Sequence, residues 1–127
     1  MLKKHFFIVD DDPIAIMILK KLLIKCDFNI TPLSFKNGEE ALDHFKNNYS
    51  SSNQYIVFLD INMPIMNGWE FLNSLETFTT PNTTRVFLVT SSVDETDKIR
   101  ANQSPFVSRF LSKPLSVATL DELIKVN

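Results

Sequence analysis

A single cysteine, Cys26, rules out a disulfide within this chain. It closes a helical pattern, where it reads as a small buried residue in a reducing compartment. Long hydrophobic runs are missing too. The longest apolar stretch, Pro13 to Leu19, falls well short of the ~20 residues that a membrane helix needs. The start, Met1-Leu2-Lys3-Lys4-His5, leads straight into a strand pattern without a cleavage motif, so no signal peptide and a cytoplasmic location are expected. Net charge is only −2 and no long basic run occurs, which leaves no footprint for nucleic acid. No repeat or linker divides the 127 residues, a length that suits one domain with its own core.

What the chain does have is a fivefold alternation of strand and helix. Strands are expected near 5–10, 29–35, 54–60, 84–90 and 106–111, and helices near 13–26, 37–48, 67–77, 93–102 and 115–126. That order implies βαβ units, and so an α/β fold with a doubly wound parallel sheet. Pro13 suits a first helical position with Asp12 as its N-cap. Asn37-Gly38 breaks the chain before the second helix, Asn67 can cap the third, and residues 47–53 form a polar loop.

Two apolar strands end in acid. Tyr55-Ile56-Val57-Phe58-Leu59 runs into Asp60, and Phe6-Phe7-Ile8-Val9 runs into Asp10-Asp11-Asp12. Continuous apolar runs of this kind are strands buried on both faces, so the acids fall at the carboxyl edge of a parallel sheet. In strand order 2-1-3-4-5 the ligand-binding switch point lies between strands one and three, the two that carry these acids. An acidic run is usually a solvated surface, and Asp12 fits that as a helix cap. Asp10, Asp11 and Asp60 repel one another unless a cation is present, and an oxygen-only set suits Mg²⁺.

The fourth strand ends in Thr90-Ser91-Ser92, and the fifth is followed by Ser112-Lys113-Pro114. A hydroxyl and an ammonium therefore join the acids on one edge. Carboxylate nucleophile, Mg²⁺, lysine and hydroxyl together make a site for a phosphoryl group.

Val9-Asp10-Asp11, Asp60-Ile61-Asn62-Met63-Pro64, Asn67-Gly68, Thr90-Ser91 and Lys113-Pro114, in this order along the whole chain, resemble the receiver domain of two-component response regulators. The resemblance implies the flavodoxin-like (βα)5 fold and a role for each position. Asp60 would accept phosphate from a partner's phosphohistidine. Asp11, Asp60 and the backbone carbonyl of Asn62 would ligate Mg²⁺ (or Mn²⁺ in its place), with Asp10 holding a metal-bound water. Lys113 would pair with Asp60, and its bond to Pro114 is expected to be cis. Thr90 would turn toward the phosphoryl group, and Phe110 takes the switch-aromatic position without a hydroxyl. Asn62 and Ser92 would line the approach of water, giving slow Mg²⁺-dependent self-dephosphorylation rather than the turnover of an enzyme.

Partners follow from the same reading. Ala15, Ile18, Leu19, Leu22, Leu23 and Cys26 are expected to face the sheet, leaving Ile14 and Met17, with Pro114 beside them, for docking a sensor histidine kinase or histidine phosphotransfer protein. The expected organisation is a single receiver domain, 1–127, with no output domain, acting on a downstream protein or passing its phosphate on. Aspartate-nucleophile phosphatases of the haloacid dehalogenase type are the alternative class. They carry a second Asp two residues after the nucleophile, where this chain has Asn62. A pseudo-receiver acting by protein contact alone would lack Asp60 or Lys113, and both are present.

Overall fold

The computed structural model describes residues 3–91 and 94–125. Strands and helices alternate as β1 (Lys3–Val9), α1 (Pro13–Cys26), β2 (Leu33–Phe35), α2 (Gly38–Asn48) and β3 (Asn53–Leu59) in the first half. The second half continues with α3 (Gly68–Leu75), β4 (Thr84–Thr90), α4 (Glu95–Asn102), β5 (Val107–Ser112) and α5 (Val117–Lys125). All strands are parallel, in the order β2-β1-β3-β4-β5. The expected flavodoxin-like, doubly wound sheet is the one observed.

Successive strand residues face opposite sides, and both sides are apolar, which is why β1, β3 and β4 read as unbroken hydrophobic runs. Phe6, Ile8, Phe58, Phe87 and Val89 pack with Leu19 and Leu23 of α1 and Leu120 and Leu123 of α5. Phe7, Val9, Val57, Leu59 and Leu88 pack with residues of α2, α3 and α4, among them Phe45, Phe71 and Ala101. Phe45 is fully buried and meets Phe7 and Phe78 edge-on, with centroids 5.2 and 5.1 Å away. Phe45→Ala is expected to cost about 3–5 kcal/mol. It should lower the urea midpoint without changing the m-value, and an unchanged midpoint would contradict this packing.

Three expectations need correction. β2 has three residues and does not begin at 29. Asp27 holds the preceding segment in a turn, accepting from Asn29 N on its side chain and from Ile30 N on its carbonyl. Pro32 then offers no N–H to a ladder. On α1 the buried stripe is narrower than the pattern suggested: Leu19 and Leu23 are buried, Ala15, Leu22 and Cys26 are partly covered, and Ile18 is 47 % exposed. α3 stops at Leu75 instead of 77, where the Thr77 hydroxyl and amide both donate to the freed Ser74 carbonyl.

The caps are as read. Asp12 accepts from Ile14 N ahead of Pro13, and Asn67 forms a reciprocal capping box with Glu70. α4 starts at Glu95, capped by Asp94, while the expected first residue, 93, lies outside the described residues. The Arg100 guanidinium sits 4.6 Å from the centroid of the Trp69 ring, joining α4 to α3.

Candidate phosphoryl-acceptor site

Register brings the acids together. β1 and β3 pair with Val9 opposite Leu59, so Asp10 and Asp60, each the residue after its strand, stand side by side. Asp60 N donates to Val9 O at 2.9 Å and Asp10 N to Phe35 O at 3.1 Å, so both backbones extend the sheet by one residue. Carboxylate oxygens of Asp10, Asp11 and Asp60 lie within 4.8 Å of one another. Asp10 and Asp60 are buried, and Asp11 is exposed.

Each carboxylate is held differently. Asp10 accepts from Asp12 N on Oδ1 (3.0 Å) and from Lys113 Nζ on Oδ2 (2.8 Å). Asp60 accepts from the Ile61 amide on Oδ1 (2.8 Å), and Lys113 Nζ lies 3.6 Å from its Oδ2. The ammonium is thus closer to Asp10 than to the Asp60 partner expected for it. Asp11 has no side-chain partner among the described residues. Burial pushes the Asp60 carboxyl above its ordinary value, and the charge of Asp10 adds to this against the pull of Lys113 and the Ile61 amide. Burial alone would lower the Lys113 ammonium, but its hydrogen bond to Asp10 and the charges of Asp60 and Asp10 hold it above its ordinary value.

The donor set fits a hard divalent cation. It offers carboxylate oxygens only, one of them exposed and unengaged, and the backbone carbonyl of Asn62 also has no partner among the described residues. Both Asp10 oxygens are already engaged, by the Asp12 amide and the Lys113 ammonium.

The other expected residues fall on the same edge. Thr90 ends β4 with its side chain buried, and its carbonyl accepts from Lys113 N at 2.9 Å, which ties the lysine to the hydroxyl-bearing strand. The Lys113–Pro114 bond is cis. Phe110 is half-buried on β5 and packs against the α2/α3/α4 core. Ile14 is 62 % exposed, Met17 49 %, and Pro114 is also exposed. An apolar cleft of about 220 Å³ opens beside Asp10, Asp60 and Lys113, walled by Ile14 and Ile18 of α1 and by Leu115. Ser91 is exposed, whereas Ser92 lies outside the described residues.

Two residues between the end of β3 and the first turn of α3 matter more than sequence reasoning showed. A Cβ at Gly68 would lie 2.6 Å from the Asp60 carbonyl oxygen and 2.9 Å from Ile61 Cα. Only glycine lets α3 begin here, with its N–H bonded to Ile61 O at 2.8 Å. Ile65 has φ +73°, and Met66 N donates to Pro64 O at 2.9 Å, so Ile65 is the centre of the rare, strained form of γ-turn. A β-branched residue there costs about 1–2 kcal/mol. The Asn67-Gly68 pair marked the first of these positions, but nothing in the sequence marked the second.

A buried acid, a half-buried lysine and a buried hydroxyl meet at the switch point of the 2-1-3-4-5 sheet, and the comparisons give this arrangement its class. Residues 6–125 match the response regulator receiver domain, and the chain belongs to that family. It is 32 % identical to hybrid signal transduction histidine kinase L of Dictyostelium discoideum over 93 % of its own length and 7 % of the kinase. It is 30 % identical to sensor histidine kinase CheAY of Helicobacter pylori over 92 % of its length and 14 % of that protein. The chain therefore spans only a small part of these relatives. Among solved structures, a two-component response regulator from Cytophaga hutchinsonii superposes with a TM-score of 0.85 at 26 % identity, covering 98 % of this chain and 96 % of the other. A response regulator receiver protein from Dyadobacter fermentans gives 0.84 at 29 % identity, with 96 % and 95 % covered. The family is regulatory and not one of ordinary turnover enzymes. No described helix is long and apolar enough to cross a membrane.

Proposed function

We propose that the chain accepts a phosphoryl group on Asp60 and signals through the change in protein contacts that follows, or passes the group onward. The observation that carries this is the buried Asp60 with Lys113 Nζ 3.6 Å away and two further carboxylates within 4.8 Å. An Asp60 oxygen attacks phosphorus while the bond to the donor's imidazole nitrogen, or to the carboxylate oxygen of an acyl phosphate, breaks. Lys113 moves its hydrogen bond from Asp10 to the arriving phosphoryl oxygens, and Thr90 donates its hydroxyl. Asp11, Asp60 and the Asn62 carbonyl would hold Mg²⁺, and Asp10 a water on it; the ion supplies charge neutralisation for the transferring group.

The exposed Ile14, Met17 and Pro114 beside the apolar cleft support docking of a sensor kinase or histidine phosphotransfer protein. Asn62, an amide on the exposed loop, supplies no acid for the phosphatase alternative. Phosphorylation acts on an output partner only as far as that partner distinguishes the two conformations.

The test is intact mass after incubation with acetyl phosphate. One phosphoryl group is expected with Mg²⁺ and none with EDTA. Failure to label a folded, Mg²⁺-binding chain would sink the reading that Asp60 accepts from small donors unaided.

A further inference from the structure

We propose that the amino-terminal part of β1 is a docking edge for an extended, acidic segment of another protein, which pairs with it as an added strand. The site lies at the end of the sheet remote from Asp60 and does not depend on the acceptor reading. Its origin is the shortness of β2. Asp60 N donates to Val9 O, so the odd-numbered residues of β1 turn their backbone groups toward β3. Asp10 N, continuing β1, donates to Phe35 O, so the even-numbered residues, Lys4 and Phe6 among them, turn theirs toward β2. Yet β1 pairs with β3 from Lys3 onward and with β2 only from Phe7, opposite Leu33. Before Leu33 the chain is drawn off the ladder by the Asp27 turn and by Pro32. Among the described residues, no backbone bond joins Lys4 or Phe6 to residues 29–32. The Lys4 and Phe6 amides and the Lys4 carbonyl thus form an edge about 13 Å long with no strand beside it.

The surroundings of the edge select the occupant. A groove of about 540 Å³ opens there, lined by Lys3, Lys4 and His5 of β1, by Ile30 and Leu33, and by Ile124 of α5. Lys3 and Lys4 are exposed, and neither has an acidic partner among the described residues. Asp27, the only acid among the lining residues, is committed to the Asn29 amide. Two uncompensated ammonium groups beside unpaired N–H donors favour a chain that brings carboxylates and backbone carbonyls. Strand alternation gives each side of that chain its own neighbours. Phe6 and Ile8 face α1 and α5, so Lys4 lies on their side, with Ile30 and Ile124, while Lys3 shares the other with Phe7 and Leu33. Each side therefore offers one lysine and an apolar contact, which suits a strand of mixed acidic and aliphatic residues. Symmetric pairing with the same edge of a second copy would set the lysines against each other, which disfavours a dimer here.

The test uses the full chain and a displayed library of random short peptides. Selection should enrich peptides that combine acidic with aliphatic residues. An enriched peptide is then synthesised and titrated into the wild type, Lys4→Glu and Lys36→Glu, the last an equal charge change at an exposed residue outside the groove. Lys4→Glu should weaken binding about tenfold, and Lys36→Glu should leave it unchanged. N-methylating one alternate set of peptide amides should abolish binding, while the other set, which points away from β1, should tolerate it. Amide hydrogen exchange read by NMR locates the contact. With about nine-tenths of the chain occupied, exchange at Lys4 and Phe6 should slow about tenfold. No enrichment, enrichment of peptides without acids, equal losses in the two variants, or binding that leaves the Lys4 and Phe6 amides unprotected would overturn the proposal. Protection of those amides by self-association in the absence of peptide would overturn it too, because the occupant would then be a second copy of this chain.

Discussion

Asp60→Asn should leave a folded chain that takes up no phosphoryl group, and in metal-free buffer that chain should be more stable than the wild type. Three carboxylates share a space of 4.8 Å, and burial together with Asp10 holds the Asp60 carboxyl above its ordinary value. The folded state thus binds that proton more tightly than the unfolded chain does. Stability from this group is fully present below the unfolded carboxyl value and is lost as pH rises through the raised folded one. The amide has no proton to lose and escapes that loss. A thermal scan at neutral pH with EDTA should place the variant a few degrees higher. Mg²⁺ should close or reverse the gap, because binding at 100 times Kd stabilises the wild type by about 2.7 kcal/mol and the variant lacks a ligand. A variant that is less stable than wild type without metal, or that still gains a phosphoryl group, would contradict the site described.

Gly68→Ala should act more severely than its one added methyl suggests. The new Cβ would have to occupy a position 2.6 Å from the Asp60 carbonyl oxygen and 2.9 Å from Ile61 Cα, and both obstacles are backbone. Neither can rotate away, so the β3–α3 loop must shift. A cost of about 2–3 kcal/mol is expected in urea unfolding, as for overpacked cores. Because the displaced peptide belongs to the acceptor, labelling by acetyl phosphate should also slow on the order of 10- to 100-fold. Wild-type stability with normal labelling would mean that the loop relaxes more cheaply than its contacts suggest.

The parts legible in the sequence are those set by local pattern. Buried strands read directly from their apolar runs, and the acids closing β1 and β3 had to meet once the strand order placed these strands side by side. Asp12, Asn67 and Pro13 announced their helix starts through side-chain chemistry that acts within three residues. Other features were settled by contacts that periodicity does not carry. Ile30 is buried and apolar yet belongs to a turn, because Asp27 captures the neighbouring amides and Pro32 removes a donor. Ile18 lies on the helical stripe by spacing, but the sheet and α5 cover the side of α1 that carries Leu19 and Leu23. The preference of Lys113 for Asp10 is a matter of tenths of an ångström between two acids on the same edge. The positive φ of Ile65 has no local signal in the sequence, and the neighbouring Met66 packs against Gly38, far away along the chain.

The contact of Arg100 with Trp69 also makes the chain its own optical gauge. Trp69 is the only tryptophan, so near-red-edge excitation addresses one place in the molecule. That indole follows the glycine fitted against the acceptor peptide and carries the α4 guanidinium on its face. The emission of the unlabelled protein therefore samples the seam between the acceptor loop and α4, and events at either side can be timed against each other without a dye, a tag or a substitution.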